Sequence, residues 1–479
     1  MQKLLPLLLI PFLLFCGCPG EGNTQPLEDN SLSEREEKQP PLPHTKHYSS
    51  GSISFDYPDW EDAHAEDEEM FMLKTDGNCI FSAARYPVAS VLLKERLEED
   101  FGAEFSGEYA EYAFPAEQAD YHAKTRMIYC NYETYTISMM CPEPPPAPVL
   151  SSAECVRRDL NTKPGLGLMS IPANDSSSLI VPAFRESREN GADVLSWYFF
   201  WGPLENNWTV ADHLMQPLSY EGKTAVLMNV IYSNVLGEYP EPYESFDEPG
   251  FKEDFADFSV EFVKRYKPDY YFVGGEVDIY LNSHRSQAPA FKELLSHTYE
   301  RIKEESPETQ VGVVVTYHYA RDYNATDIIQ ELAPECDLIG YTVHPYRGNY
   351  NYSNVSRGLE YLEEVPDVVP GKPYAILETG WSSSEFLGSS EEKQNQFLDD
   401  FFSYYENTDA EFVIWFSLHE WSDCTEAAEP YVEDFPEVQE NEEYMDRFRE
   451  YLCSLGLKNP DGTPKKAWAT WKEYTEVEK

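Results

Sequence analysis

The C-terminal two thirds of the chain repeat one alternation eight times: a short apolar run, then a longer stretch. The runs are Gly167–Ile171, Val194–Phe200, Thr224–Val230, Tyr270–Gly274, Gln310–Thr316, Leu338–Val343, Tyr374–Leu377 and Phe412–Phe416, and their starts lie 27, 30, 46, 40, 28, 36 and 38 residues apart. Each interval has room for a loop, a helix and a loop. Helical spacing is readable at Phe251–Tyr266, Ala288–Glu305, Ala325–Ala333, Ser356–Glu364 and Ser390–Tyr405. Continuously apolar strands, each followed by a helix, make a parallel sheet covered on both faces. Eight units of this size predict a (β/α)8 barrel over residues 160–479. An open doubly wound sheet is the rival, but no Gly-rich phosphate loop follows the first strand.

The 479 residues exceed what one core holds, and the chain ahead of the barrel reads as separate parts. Residues 48–142 predict a small α+β domain. Within it Ser52–Trp60 alternates like an edge strand, Cys79–Tyr86 is a second strand, Val91–Phe101 has helical spacing, and Tyr129–Cys141 is a hairpin or final strand pair. Its opening, Ile53-Ser54-Phe55-Asp56-Tyr57-Pro58-Asp59-Trp60, and this ending resemble the PsbP-like fold of many prokaryotic lipoproteins, which implies a binding or adaptor module. Residues 143–159 begin with a polyproline run and read as a linker. Residues 19–47 are Pro-, Glu-, Ser- and Gln-rich and read as a disordered tether.

Residues 1–18 form a signal peptide: Lys3 precedes the apolar run Leu4–Phe15, too short to span a membrane as a mature helix. Phe15-Cys16-Gly17-Cys18 resembles a lipobox, which implies lipid on Cys18 and a chain anchored to the outer face of the cytoplasmic membrane; Cys16 as the lipidated residue, or plain secretion, are the alternatives. Beyond the signal stand Cys79, Cys130, Cys141, Cys155, Cys336, Cys424 and Cys453. The number is odd, so internal pairing leaves at least one thiol free. Cys130 and Cys141 either bridge adjacent strands or stay as two buried thiols. With 86 Asp and Glu against 36 Lys and Arg, the formal net charge is −50. That excludes a nucleic-acid footprint and disfavours an anionic polymer as substrate, leaving a neutral one.

The chemistry is expected where parallel strands end, because a barrel opens all its strand C-termini onto one face. Two strands end in a carboxylate: Tyr270-Tyr271-Phe272-Val273-Gly274-Gly275-Glu276 and Tyr374-Ala375-Ile376-Leu377-Glu378. Counting from Gly167 these are strands four and seven. Two such carboxyls suit glycoside hydrolysis with retention, one attacking the anomeric carbon and one protonating the leaving oxygen. A lone Glu after a strand is more often a loop or capping charge; the paired placement is the signal.

The arrangement resembles the clan of retaining glycoside hydrolases built on a TIM barrel, over roughly residues 160–475. Leu377-Glu378-Thr379-Gly380-Trp381 is similar to its nucleophile motif and Gly274-Gly275-Glu276-Val277-Asp278 to its acid/base motif. His344-Pro345-Tyr346 resembles the His-x-Tyr element near the nucleophile, and Trp415 matches the Trp that floors the sugar subsite. The resemblance implies Glu378 as nucleophile, Glu276 as acid/base, no metal or organic cofactor, and a neutral β-linked glycan as substrate. Endo action is favoured by the aromatic set. One position departs from it: Gly275 stands where the clan has an Asn that binds the sugar 2-hydroxyl, a role open to Asn229 on strand three. That keeps alive an alternative, a carbohydrate-binding or cell-surface lipoprotein without turnover.

Around the pair, Trp201, Trp381, Trp415 and Trp421 are expected either to stack sugars or to pack under loops. His318 and His344 are substrate ligands or hydrogen-bonded structural residues. Asp278 reads as a solvated or capping residue, and Glu420 and Asp423 as loop residues.

Overall fold

The computed structural model describes residues 45–49, 53–58, 61–62, 70–75, 79–86, 93–94, 97–98, 103–115, 120–130, 133–142, 150, 154–155, 165–205, 207–346, 349–424 and 441–477. The lipobox with Cys18 and nearly all of the proposed tether lie outside the described residues. Two compact units divide the chain, Met1–Arg158 and Asp159–Lys479.

The second unit is a closed (β/α)8 barrel. Its parallel strands are β1 (Leu166–Leu168), β2 (Val194–Phe199), β3 (Lys223–Tyr232), β4 (Tyr270–Gly275), β5 (Gln310–Thr316), β6 (Leu338–Val343), β7 (Tyr374–Thr379) and β8 (Val413–Trp415). β1 pairs with β2 at Gly167↔Val194 and with β8 at Gly167↔Ile414, so the sheet has no free edge. All eight expected strands are present, shifted at their ends by no more than three residues. The helices between them include α1 (Ile180–Glu189), α2 (Thr209–Ser219), α3 (Phe251–Tyr266), α4 (Ala288–Glu305), α5 (Thr326–Leu332), α6 (Ser356–Glu364), α7 (Glu391–Asn407) and α8 (Lys466–Val477). Phe251, Phe255, Phe258 and Phe262 form the buried stripe of α3, at the three- and four-residue steps a helix needs to cover a sheet.

The barrel interior is filled by side chains. A Cβ on Gly312 would lie 2.7 Å from the Phe272 ring, and one on Gly340 would lie 2.4 Å from Leu377 and 2.9 Å from Phe272. Phe272 and Leu377 therefore point inward, and the two glycines give them room. This fixes which way β4, β5, β6 and β7 face at these positions, and alternate residues share a side until a bulge intervenes.

The first unit is mainly antiparallel sheet. Most of the stretch Tyr129–Cys141 is one strand, Glu133–Cys141, whose hairpin partner Asp120–Cys130 starts nine residues earlier than expected; they pair from Cys130↔Glu133 to His122↔Cys141, and Ile80–Tyr86 lies along the other side of the second strand. Leu93, Lys94, Leu97 and Glu98 are helical, within the stretch given helical spacing. Three readings are corrected. Ile53–Pro58 is the middle strand of a three-stranded sheet, between Thr45–Ser49 and Glu154–Cys155, because its alternation reports one buried face and not an open edge. Leu150 and Glu154–Cys155, inside the proposed linker, belong to this unit: Leu150 is buried with Ile53 and Phe55. Cys141 bonds Cys79 on the adjacent Ile80–Tyr86 side, not Cys130. Several strands flank each cysteine here, and spacing does not choose among them. Cys424 bonds Cys453, and Cys336 is a free buried thiol.

Candidate active site

The top of the barrel carries four side chains in one layer, from four adjacent strands. Phe272 faces inward, but the alternation breaks at Gly274, whose φ is 83° and where a Cβ would meet Val277 and Phe291 of α4; Gly275 then faces Asn229 of β3. Glu276 sits at φ 52° and ψ 37°, the left-handed region, as the chain turns from β4 into the helix Val277–Ser283. A side chain other than glycine there costs about 1 kcal/mol or more and persists only where surroundings impose it. Thr316 ends β5 and pairs in register with Thr342 on β6. Thr342 in turn pairs with Glu378 on β7.

Strict alternation would point Glu378 away from the site, because Leu377 already faces inward. The register shows how this is resolved. Tyr341 pairs with Ile376 and Thr342 with Glu378, so β7 carries one extra residue, and its pairing with β8 is shifted at the same place. This bulge returns Glu378 to the inner face, beside Thr342.

Glu276 and Glu378 thus flank one threonine. Thr342 Oγ1 donates to Glu276 Oε1 at 2.6 Å. Burial first, and then the negative charge of Glu378, push the Glu276 carboxyl above its usual range, against the pull of Thr342, His344 and Ser233. His344 Nε2 faces Glu378 Oε2 at 3.6 Å. Behind it, the His344 amide donates to His318 Nδ1 at 3.2 Å, and His318 Nε2 lies 3.1 Å from the Tyr346 hydroxyl. Since Nδ1 accepts, the ring proton of neutral His318 is on Nε2 and is donated to Tyr346. Burial holds His318 well below the usual imidazole range, so it stays neutral. Tyr451 completes this wall, its ring 5.5 Å from His344 and 5.3 Å from Tyr346.

Asn229 on β3 is buried, 2% exposed, with neither amide atom hydrogen-bonded. Its Oδ1 lies 2.9 Å from where a Cβ on Gly275 would be. The absence of a side chain at 275 is what admits the Asn229 amide beside Glu276.

Three tryptophans expected to stack sugars do not offer a face. Trp201 is 3% exposed and wedged among Tyr243, Phe251, Phe255 and Phe258 of the α3 side. Trp381 and Trp415 are fully buried; both pack on Phe397 of α7, and Trp381 Nε1 donates to Ser389 Oγ at 2.8 Å. Trp415 points outward from its strand to the helix layer, and the next residue, Phe416, meets His344 edge-on. Trp421 is half-buried beside Phe416. Rings on the β2 and β3 side that keep an accessible face include Tyr198, Phe200 and Tyr232, mutually packed at 6.0–6.2 Å; the Tyr198 phenol is raised by burial and then by Glu378. Aromatic residues two apart at the end of β2 were the sequence signal for them. Asp278 is fully buried, not solvated. Glu420 pairs with buried Lys465 and is a structural ion pair. Among the described residues no group of His, Cys, Asp or Glu is arranged to hold a metal ion.

No protein-family model matches the sequence, and a search of curated proteins finds no match. Solved structures do resemble the fold. The exo-β-1,4-mannosidase Op5Man5 from Opitutaceae bacterium strain TAV5 aligns with a TM-score of 0.50 and 14% identity, over 66% of this chain and 60% of the mannosidase. A GH5_18 protein from Streptomyces cattleya in complex with Manb1-4GlcNAc gives 0.48 and 14%, over 65% of this chain and 80% of that one. The β-glucosidase 1317 gives 0.46 and 12%, over 64% and 89%. This chain spans about three fifths of the mannosidase's length, and at such identities the likeness is one of fold.

The raised Glu276 carboxyl has a thermodynamic consequence. Because its folded-state affinity for the proton exceeds the unfolded one, its contribution to stability is complete below the unfolded value, about 4.3, and is lost as pH rises through the folded value. Glu276→Gln removes this loss. Its Tm is expected to match wild type at low pH and to exceed it by roughly 2–4 °C at neutral pH, measured by calorimetry; equal curves at all pH contradict the assignment.

Proposed function

We propose that the chain is a retaining glycoside hydrolase for a neutral β-linked glycan, with Glu378 as nucleophile and Glu276 as acid/base. The observation that carries this reading is the pair of carboxyls on either side of Thr342, one of them held toward its protonated form by burial and then by the other's charge. Glu378 attacks the anomeric carbon as the carboxylate. Glu276 gives its proton to the leaving oxygen. Once Glu378 is esterified its charge is gone, Glu276 becomes more acidic, and it serves as base for the incoming water. Tyr198, Phe200 and Tyr232 offer apolar ring faces for sugar C–H surfaces. Endo action on a polymer is part of the proposal, and an early product ladder of oligosaccharides, against release of single sugars, tests it.

The supply of a hydroxyl contact falls to Asn229. A buried amide with donor and acceptor both unpaired costs about 1–3 kcal/mol per group, and a sugar hydroxyl, which both donates and accepts, offsets it. This weakens the alternative of a carbohydrate-binding protein without turnover, whose main support was Gly275. Anchoring through lipid on Cys18 is proposed on the Leu4–Cys18 pattern alone.

Three outcomes follow. On whichever β-glucan, mannan, galactan or xylan is cleaved, Glu378→Ala abolishes turnover, and azide restores an inverted product. Glu276→Ala keeps most of its rate on activated aryl glycosides, loses it on poor leaving groups, and gives a retained product with azide. Losses no larger than those of Glu304→Ala on α4 contradict the site, and a wild type inert on the whole panel favours the binding protein. Second, Asn229→Ala lowers kcat/KM roughly 10- to 100-fold. Gly275→Ala is damaging alone but adds little to Asn229→Ala, since the colliding amide is already gone; additive losses contradict the placement. Third, Cys18→Ser frees the protein from membranes, as phase partitioning would detect, and unchanged partitioning refutes the anchor.

A further inference from the structure

A third carboxyl lies close to Glu276 and has no part in the scheme above. Asp278, on the helix after β4, is fully buried. The Thr316 amide donates to Oδ1 at 2.6 Å, the hydroxyl of the same residue favours the charged form from nearby, and Oδ2 has no hydrogen-bond partner. Thr316 Oγ1 stands 3.4 Å from Thr342 Oγ1, which is 2.6 Å from Glu276 Oε1. Both threonines are 1% exposed. Two buried hydroxyls therefore lie between the two carboxyls, in a region where a lone carboxylate is costly. If Asp278 served only to hold the β5 terminus, an asparagine would suffice, and burying an acid would add a penalty without purpose.

We propose that Asp278 and Glu276 form one proton-holding pair bridged by Thr316 and Thr342, with Asp278 a positioning residue that sets how long Glu276 keeps its acid proton as pH rises. Moving the proton from Glu276 to Asp278 breaks the O–H at Glu276. Thr342 accepts that hydrogen and gives its own to Thr316, which gives its own to Asp278; both hydroxyls are remade and only one proton has moved. Ionising both carboxyls at once places two negative charges in one buried space, so the last proton leaves late. Burial pushes Asp278 well above its usual range, and Glu276 adds to it, in keeping with the pair. The other titratable groups facing it are Glu378, His344, Tyr346 and Tyr451 around Glu276, and Tyr341 beside Asp278.

The inference rests on Glu276 being the acid/base group, but its first test needs no turnover. Tm is followed against pH for wild type, Glu276→Gln, Asp278→Asn and the double variant. A shared proton makes the two gains non-additive, increasingly so as pH rises, since removing either carboxyl relieves the same repulsion. Additive gains overturn the pair even if the enzyme is active. Should Asp278→Asn not fold, infrared titration of the protonated-carboxyl stretch in wild type and Glu276→Gln decides: the buried band must titrate at lower pH in the variant, and an unmoved midpoint overturns the proposal. With a substrate in hand, Asp278→Asn moves the alkaline limb of kcat/KM to lower pH, a loss of roughly three- to tenfold on that limb with the acid side kept. An unshifted limb overturns the positioning role, whereas a wild type without turnover but with non-additive stabilities leaves the pair standing and removes the hydrolase reading.

Discussion

Two carboxyl groups from strands on opposite sides of Thr342 share one half-buried space, where burial first and the charge of Glu378 second push Glu276 toward its protonated form. Most of the barrel mouth can be understood as the means of enforcing that arrangement. The closed sheet fixes the strand ends, so the side chains cannot separate. The bulge on β7 turns Glu378 inward after Leu377 has already been spent on the core. The left-handed turn at Glu276 directs that side chain over Thr342. Such local costs are tolerable in a barrel because Phe272, Leu377 and the α3 phenylalanines supply a large buried apolar core beneath them.

Strand and helix placement was legible in the sequence to within a few residues. Apolar runs of four to seven residues followed by helical spacing admit few architectures. The two glutamates were legible for the same reason, since a charge closing an apolar strand marks the end of that strand. Facing was not legible. Trp415 and Phe416 differ by one position, and one position decides whether a ring meets α7 or His344. Trp381 follows a bulge that apolar alternation conceals, and Trp201 is drawn into the α3 aromatic layer by neighbours fifty residues later. Asp278 looked like a surface charge because its partner, the Thr316 amide, comes from a different strand. The Cys79–Cys141 bond likewise depends on strand order, which spacing does not carry.

Asn229 and Gly275 illustrate an exchange across strands. The space left by the missing side chain on β4 is filled from β3, by the Asn229 amide. Neither residue is informative alone. An asparagine inside a strand and a glycine at a strand end are both ordinary, and only the 2.9 Å approach joins them.

The central claim is that Glu378 forms a covalent bond to the substrate, opposite Glu276. The most direct measurement is intact and peptide mass spectrometry after incubation with an activated 2-deoxy-2-fluoro glycoside of the cleaved sugar, which slows breakdown of the intermediate. The account predicts one added glycosyl mass per chain, located on the peptide carrying Glu378 and absent in Glu378→Ala. An adduct on another residue, or inverted product from the wild-type enzyme with no adduct at all, would contradict it.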